Sequence, residues 1–241
     1  MMLFDRFVSK TIVSGDIILL KPLHIGAGDE GLDPVQVDSP VLKNYKREPV
    51  IPGSSLKGVL RSTLESVLRN TAFSGKWTSC NVLFDAESCI ETKFKTLKNI
   101  YKGNPKELAE TIYEESCDVC KLFGNKHLAS KIQIKDMFIK GEAHFERRDG
   151  VGIDRDSGTA YPGAKYDFEI VPAESRFDFY MTAENLDIEQ RKLFNLILKL
   201  LKNGEIFIGG QTSRGLGQIQ LIDENINEIN KDNIASYYGL K

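Results

Sequence analysis

Stretches of regular hydrophobic patterning follow one another as strand, helix, strand, strand, helix, strand. They predict an α+β chain on a ferredoxin-like (RRM-like) βαββαβ core. Residues 10–20 and 174–183 carry the strand signal. Residues 56–68 and 187–203 space their apolar side chains by three and four, as one helical face requires. Two segments fit neither pattern, a Cys-bearing one at 71–130 and a Gly- and charge-rich one at 141–165, and both read as insertions. At about 100–200 residues per domain, the 241 residues are expected to form a single domain over 1–241 that carries both.

The first strand, rich in Ile, Val and Leu, ends at Gly26 and Gly28. A polar loop over 29–33 and a short strand or hairpin over 34–42 follow. Pro52-Gly53-Ser54-Ser55 opens a helix whose core face is Leu56, Val59, Leu60, Leu64, Val67 and Leu68. Ser54 or Ser55 is the expected N-cap, since a hydroxyl accepts from a free N–H of the first turn. The 71–130 segment holds all four cysteines, the only tryptophan and one expected helix over 105–115. Residues 131–139 read as a strand, and Phe177, Phe179 and Met181 alternate inward in the next. The second helix presents Ile188, Phe194, Ile197, Leu198 and Leu201 to the core, with Gly204 as its C-cap. A short apolar run at 205–208 and the alternating 216–222 close the chain. Both helices should cover one face of an antiparallel sheet, leaving the other for a ligand.

Apolar residues make up 41%, enough to offset chain entropy and exclude wholesale disorder. A net charge of −2 means that a nucleic-acid partner would need a local basic surface. Such a stretch exists: Lys121, Lys126, Lys131, Lys135, Lys140, Arg147 and Arg148 stand against only Asp136, Glu142 and Glu146. The longest apolar run, 193–201, is broken by Asn195 and Lys199 and cannot span a bilayer. With no export signal visible, the expected location is cytoplasmic, with no membrane partner.

Gly209-Gly210, followed by Arg214, Gly215 and Gly217, can bring backbone N–H groups and a planar cation to a phosphate. A plain hairpin loop is the alternative. Ser54, Ser55, Lys57 and Arg61 place hydroxyls and two cations near a helix N-terminus, which suits an anion, or else merely caps a surface helix. Two residues separate Cys117 from Cys120, as in a metal knuckle, and eight separate Cys80 from Cys89. A structural Cys₄ Zn²⁺ site would staple the insertion. Disulfides, in a hot-environment source, or isolated buried thiols are the other readings. Asp38, in Val37-Asp38-Ser39-Pro40, reads by itself as an Asx-turn residue.

Six motifs occur together: Leu23-His24-Ile25-Gly26; Val37 to Val41; Ile51-Pro52-Gly53-Ser54-Ser55-Leu56-Lys57-Gly58 through Arg61; Cys117-Asp118-Val119-Cys120 through Gly124; Gly150 to Arg155; and Gly209-Gly210 through Gly217. In this order, over nearly the whole chain, they resemble the RAMP superfamily, and more narrowly the repeated backbone subunit of type III CRISPR effector complexes. The resemblance implies a filament of copies on a CRISPR guide RNA, paired with a target RNA, beside other type III effector subunits. It implies that 71–130 is a lid and 141–165 a β-hairpin thumb that flips a nucleotide, with Ile153, Asp154 and Arg155 near the tip. His24, Ser54, Ser55, Lys57, Arg61, Asp154, Arg155, Gly209, Gly210 and Arg214 become RNA-binding candidates. Asp38 becomes the cleaving carboxylate of a metal-dependent endoribonuclease, working with Mg²⁺ and using the RNA's own 2′-hydroxyl as nucleophile. Asp29 and Asp33 are the nearest substitutes. The alternatives are an inactive structural subunit of the same complex, and a metal-independent CRISPR precursor RNA-processing endonuclease that uses His24.

Overall fold

Residues 4–27, 37–70, 72 and 75–240 are described by a computed structural model of the chain. Gly28, Asp29, Asp33 and the start of the expected 34–42 strand lie outside the described residues.

The chain is a mixed α+β structure built on a curled antiparallel sheet. Strand β1 (Ser9–Leu19) lies at its centre, paired with β7 (Arg176–Glu184) on one side and β9 (Gln218–Asn230) on the other. Beyond β7 come β4 (Met137–Lys140) and then β2 (Val50–Ile51), and β7 also pairs with β3 (Ile132–Ile134). Beyond β9 lies β8 (Ile206–Phe207). Helices α1 (Gly53–Leu68) and α5 (Ile188–Lys202) bury their apolar stripes in one core with Val13, Ile17, Phe177, Phe179, Met181, Ile219 and Leu221. Each fully buried Leu, Ile or Phe there contributes about 1.5–3 kcal/mol.

Several local expectations are corrected. The N-cap of α1 is Pro52, so Ser54 and Ser55 fall inside the first turn. The capping acceptor comes from another element: Asp136 Oδ1 takes the Gly53 N–H at 2.8 Å. Gly53 is required by close approach, since an added Cβ would lie 2.2 Å from the Ile134 carbonyl oxygen. The single strand expected over 131–139 is broken into β3 and β4, and Asp136, in that break, is free to reach α1. Ile188 is 76% exposed, because it is the first helical residue, directly after the N-cap Asp187, and points away from the core stripe. The C-cap of α5 is Asn203, and Gly204 follows it with φ +70°. β9 continues well past 222, around a bulge opposite Ser14 and Asp16.

The 71–130 segment contains α2 (Glu91–Ile100), α3 (Pro105–Glu115) and α4 (Asp118–Phe123), two helices more than expected. It has a small core of its own, Ile90, Ile112, Tyr113 and Leu128. Lys131, counted above among surface cations, is 2% exposed. Its ammonium donates to Tyr113 Oη at 3.1 Å, the Asn185 carbonyl at 2.8 Å and Gln190 Oε1 at 2.8 Å, tying α3 to the start of α5. A separate two-stranded sheet joins β5 (Glu146–Ile153) to β6 (Ala160–Ile170). Among the described residues, no helix is long and apolar enough to cross a membrane.

Candidate functional site

The base of the β5–β6 hairpin gathers three loops that are distant in sequence. Residues 166–169, Tyr-Asp-Phe-Glu, alternate aromatic and acidic side chains and so offer different partners to each side. Tyr166 and Phe168 stack with centroids 6.2 Å apart, and Ile170 and Leu216 pack with them. Asp167 and Glu169 engage the 38–43 segment. The Asp38 N–H donates to Asp167 Oδ1 at 2.7 Å, and the Asp167 N–H donates to Asp38 Oδ2 at 3.0 Å. Asp167 also pairs with Arg147 of β5. Ser39 bridges Phe168, its carbonyl accepting the Glu169 N–H at 3.0 Å. Glu169 accepts from the Val41 N–H at 3.1 Å and pairs with Lys43 at 2.8 Å. Asp38 itself is exposed.

His24 is 6% exposed and engaged at both ring nitrogens. The Glu169 carbonyl can only accept, so Nδ1, 2.7 Å away, is the donor. In the neutral ring Nε2 is then the acceptor for the Ser39 hydroxyl at 3.2 Å. The ring meets Phe168 edge-on at 5.7 Å. His24 thus fastens the first loop to β6 and the Asp38 segment. Its carbonyl accepts the Gly210 N–H at 2.8 Å, which seats the Gly-rich loop beside it. Gly209 has φ +85°, and an added Cβ would lie 2.3 Å from the His24 carbonyl oxygen, so only glycine permits this approach. Arg214 is exposed and donates to the Tyr166 hydroxyl. Asp38, His24, Gly209, Gly210 and Arg214 therefore converge on one region, with Tyr166, Asp167 and Glu169 as its floor. The alternation at 166–169 was the signal for these three, hidden in what reads as the end of an excursion.

Asp154 organises the hairpin tip. Its carboxylate accepts from the Ser157 N–H at 2.7 Å, the Ser157 hydroxyl at 2.8 Å and the Asp156 N–H at 3.1 Å. The bond from the Ser157 N–H leads in holding its carboxyl below the usual range. Arg155 beside it is exposed, as are Val151, Ile153 and Tyr161 along the hairpin.

At α1, Ser54, Lys57, Gly58 and Arg61 line a shallow groove with Gly124, Asn125 and Ser130. Lys57 makes no ion pair among the described residues. Burial first, and repulsion by Arg61 second, push its amine below the usual lysine range. Arg61 is fully engaged: Nε to Glu65 Oε1 at 2.8 Å, Nη1 to the Gly124 carbonyl at 2.8 Å, and Nη2 to the Cys120 sulfur at 3.2 Å. Burial works against its charge, yet the bond to Glu65 and the Cys120 sulfur hold its pKa above the ordinary value.

The sulfurs of Cys80, Cys89, Cys117 and Cys120 all lie within 4.8 Å of one another, and all four thiols are free. This replaces the disulfide and isolated-thiol readings. Tetrahedral Zn²⁺ with Zn–S near 2.3 Å puts its sulfurs about 3.8 Å apart, so the four thiols fit the ion and could hold it. Cys117 caps α4, its sulfur accepting the Cys120 N–H at 3.4 Å. Hydrogen bonding from Cys117, then from Cys120, pushes the Cys89 thiol far down, while its bonds to Cys120 and Cys89 push Cys117 up. Cys80, Cys117 and Cys120 also belong to the main hydrophobic core, so the cluster joins insertion to core.

The local excess of positive charge is partly consumed by ion pairs and burial. Lys126 pairs with Asp85, Lys140 with Asp16 and Arg147 with Asp167, while Lys131 is buried. Lys135 lies over the Tyr180 ring at 4.1 Å and Lys121 over Tyr113 at 5.6 Å. Charges close in sequence went to separate partners, because they are spread over α4, the loops on either side of β3, the end of β4 and the start of β5.

Known proteins similar to this chain share one name, "CRISPR system Cms endoribonuclease Csm3". The Methanocaldococcus jannaschii protein is 29% identical over 230 residues, covering 89% of this chain and 79% of its own length. The Enterococcus italicus protein is 26% identical over 234 residues, covering 97% and 99%. The Methanothermobacter thermautotrophicus protein is 26% identical over 229 residues, covering 92% and 88%. The RAMP superfamily pattern matches residues 16–220, a stretch that takes in the end of the central strand, both core helices, the cysteine cluster and the hairpin; the chain belongs to the RAMP superfamily.

Proposed function

We propose that the chain is a guide-RNA-binding backbone subunit of a type III CRISPR effector complex and that it cuts the paired target RNA. One observation carries this reading: the chain aligns over nearly its whole length with proteins named endoribonuclease Csm3. The exposed Asp38, held by two hydrogen bonds at the base of the β5–β6 hairpin, supports it.

The core is read as ferredoxin-like. Strands β4, β7, β1 and β9 lie side by side in that order, with α1 and α5 as the crossover helices, which supports a βαββαβ unit. The 141–165 segment acts as the thumb, its exposed Val151, Ile153 and Tyr161 apolar enough to wedge between bases. The 71–130 segment acts as the lid, with Zn²⁺ held by Cys80, Cys89, Cys117 and Cys120. Gly209, Gly210, Arg214, Ser54, Ser55, Lys57, Asp154 and Arg155 provide or shape the RNA surface. His24 contributes by holding its loop, and Arg61 by bracing the cysteine cluster beside the α1 groove. Copies line up as a filament on the guide, with other type III effector subunits, in the cytoplasm.

For cleavage, the target's 2′-oxygen attacks the adjacent phosphorus. The 2′-O–P bond forms and the P–O5′ bond breaks. The 2′ proton passes to a base, and the departing 5′-oxygen takes a proton from water, leaving a 2′,3′-cyclic phosphate and a 5′-hydroxyl. Asp38 Oδ2 already accepts one N–H, so the rest of this exposed carboxylate is available to orient the 2′-hydroxyl or to hold a hydrated Mg²⁺. Mg²⁺ bound there would neutralise charge at the scissile phosphate.

The test is cleavage of guide-paired target RNA by the assembled complex in Mg²⁺, in EDTA and with Asp38→Ala. Regularly spaced cuts, lost in EDTA and in the variant while assembly persists, support the proposal. An intact wild-type complex that never cuts would leave a scaffold. The precursor-processing alternative is disfavoured by His24, buried with both ring nitrogens engaged.

A further inference from the structure

We infer that Asp167 is the positioning residue that fixes Asp38 against the hairpin, so that the cut and the hairpin keep a common register. The inference rests on the cleaving role proposed for Asp38.

Asp167 is 8% exposed and sits on β6, the strand that forms one arm of the hairpin and then returns to the core. It meets Asp38 twice: its Oδ1 accepts the Asp38 N–H at 2.7 Å, and its own N–H donates to Asp38 Oδ2 at 3.0 Å. The first bond holds the backbone of Asp38. The second takes one carboxylate oxygen and so orients the other. Arg147, across the hairpin on β5, pairs with Asp167 and holds it in place. The Asp38 backbone is thereby joined to both hairpin strands through the Asp167 side chain, and the Asp38 carboxylate to β6 through the Asp167 main-chain N–H.

The neighbouring backbone contacts do not depend on that side chain. Ser39 bridges Phe168, and the Glu169 N–H reaches the Ser39 carbonyl at 3.0 Å. Losing the Asp167 acceptor should therefore leave the 39–41 segment docked and the Asp38 carboxylate on the Asp167 N–H, and release the Asp38 backbone, on which the placement of that carboxylate depends. Reaction rates depend steeply on such placement, roughly a hundredfold for a displacement near 1 Å. A thumb that displaces a nucleotide selects the phosphate only if the carboxylate is fixed relative to the thumb.

The experiment uses the assembled complex on guide-paired target RNA, with single-turnover rates and cut positions read at nucleotide resolution. Asp167→Ala is expected to assemble and bind target as wild type does, to cut about 10–100-fold more slowly, and to spread its cuts to neighbouring phosphates. Asp167→Asn keeps an oxygen acceptor and is expected to restore the wild-type cut positions. Asp167→Leu, near-isosteric and without an acceptor, replaces Asp167→Ala if that variant fails to assemble. Wild-type rate and positions without the acceptor overturn the inference. So does an Asn variant as defective as Ala, since the ion pair with Arg147 would then carry the effect. Asp38→Ala runs in parallel: continued cutting there sinks the cleavage reading itself, while lost cutting there with normal Asp167→Ala sinks only the positioning role.

Discussion

Arg61 of α1 donates to the Cys120 sulfur at 3.2 Å and to the Gly124 carbonyl at 2.8 Å. A core helix and the cysteine cluster therefore share one guanidinium, and the groove beside Lys57 is built on that contact. Arg61→Ala should remove about 1–3 kcal/mol of stability, because it leaves a buried carbonyl and a buried sulfur without their donor. Arg61→Lys should not rescue it, since an ammonium cannot reproduce the planar fork. Denaturant unfolding checks both. A variant that unfolds as wild type but binds RNA more weakly would make Arg61 a phosphate contact instead.

The four clustered thiols predict one zinc per chain. Elemental analysis of purified protein should find it, and Cys117→Ser should lose it with a lowered melting temperature, because ligand, α4 cap and core contact go together. Metal-free protein with four reactive thiols and unchanged melting would remove the centre from the account.

Lys131 carries a pH signature. Burial pushes its amine down to about 8, from 10.5. Below pH 8 both folded and unfolded chains hold the proton, and the folded state bears the cost of the buried charge. Between pH 8 and 10.5 the unfolded chain binds more protons, so stability rises with pH through that window. Measured against Lys131→Met, wild-type stability should improve by up to about 3 kcal/mol from pH 7.5 to 10.5. A flat difference would mean that Tyr113, Asn185 and Gln190 compensate the charge fully.

Lys57, without an ion pair among the described residues, is the cation of the α1 groove that is free for phosphate. Lys57→Ala should weaken guide binding similarly for unrelated RNA sequences and lower the slope of log K against log salt by roughly one. A loss confined to one RNA sequence would assign Lys57 to base reading.

The two core helices, strands β1 and β7 and the first part of β9 were legible because their burial is patterned, and it imposes a period of 3.6 or 2 on the residues. Phe177, Phe179 and Met181 fall inside as their alternation requires, and the 187–203 helix differs by one residue at each end. α2 was missed because none of its side chains is fully buried, and partial burial leaves a weak stripe. The Ser54 or Ser55 cap failed for a different reason: the acceptor Asp136 lies 83 positions away in the chain.

Sequence by itself determined the order of the main core strands and helices, most of the residues that face the core and the cysteines that a metal would take, since each depends on residue type and local spacing. Only the tertiary structure decided which groups meet. It took Arg61 to the Cys120 sulfur, buried Lys131, paired three of the seven cations of the basic stretch with acids and set Asp167 against Asp38. Those pairings join residues up to 129 positions apart. They are set by the register of β6 beside the 38–43 segment and by helices packing on a shared core, neither of which leaves a local pattern in the chain.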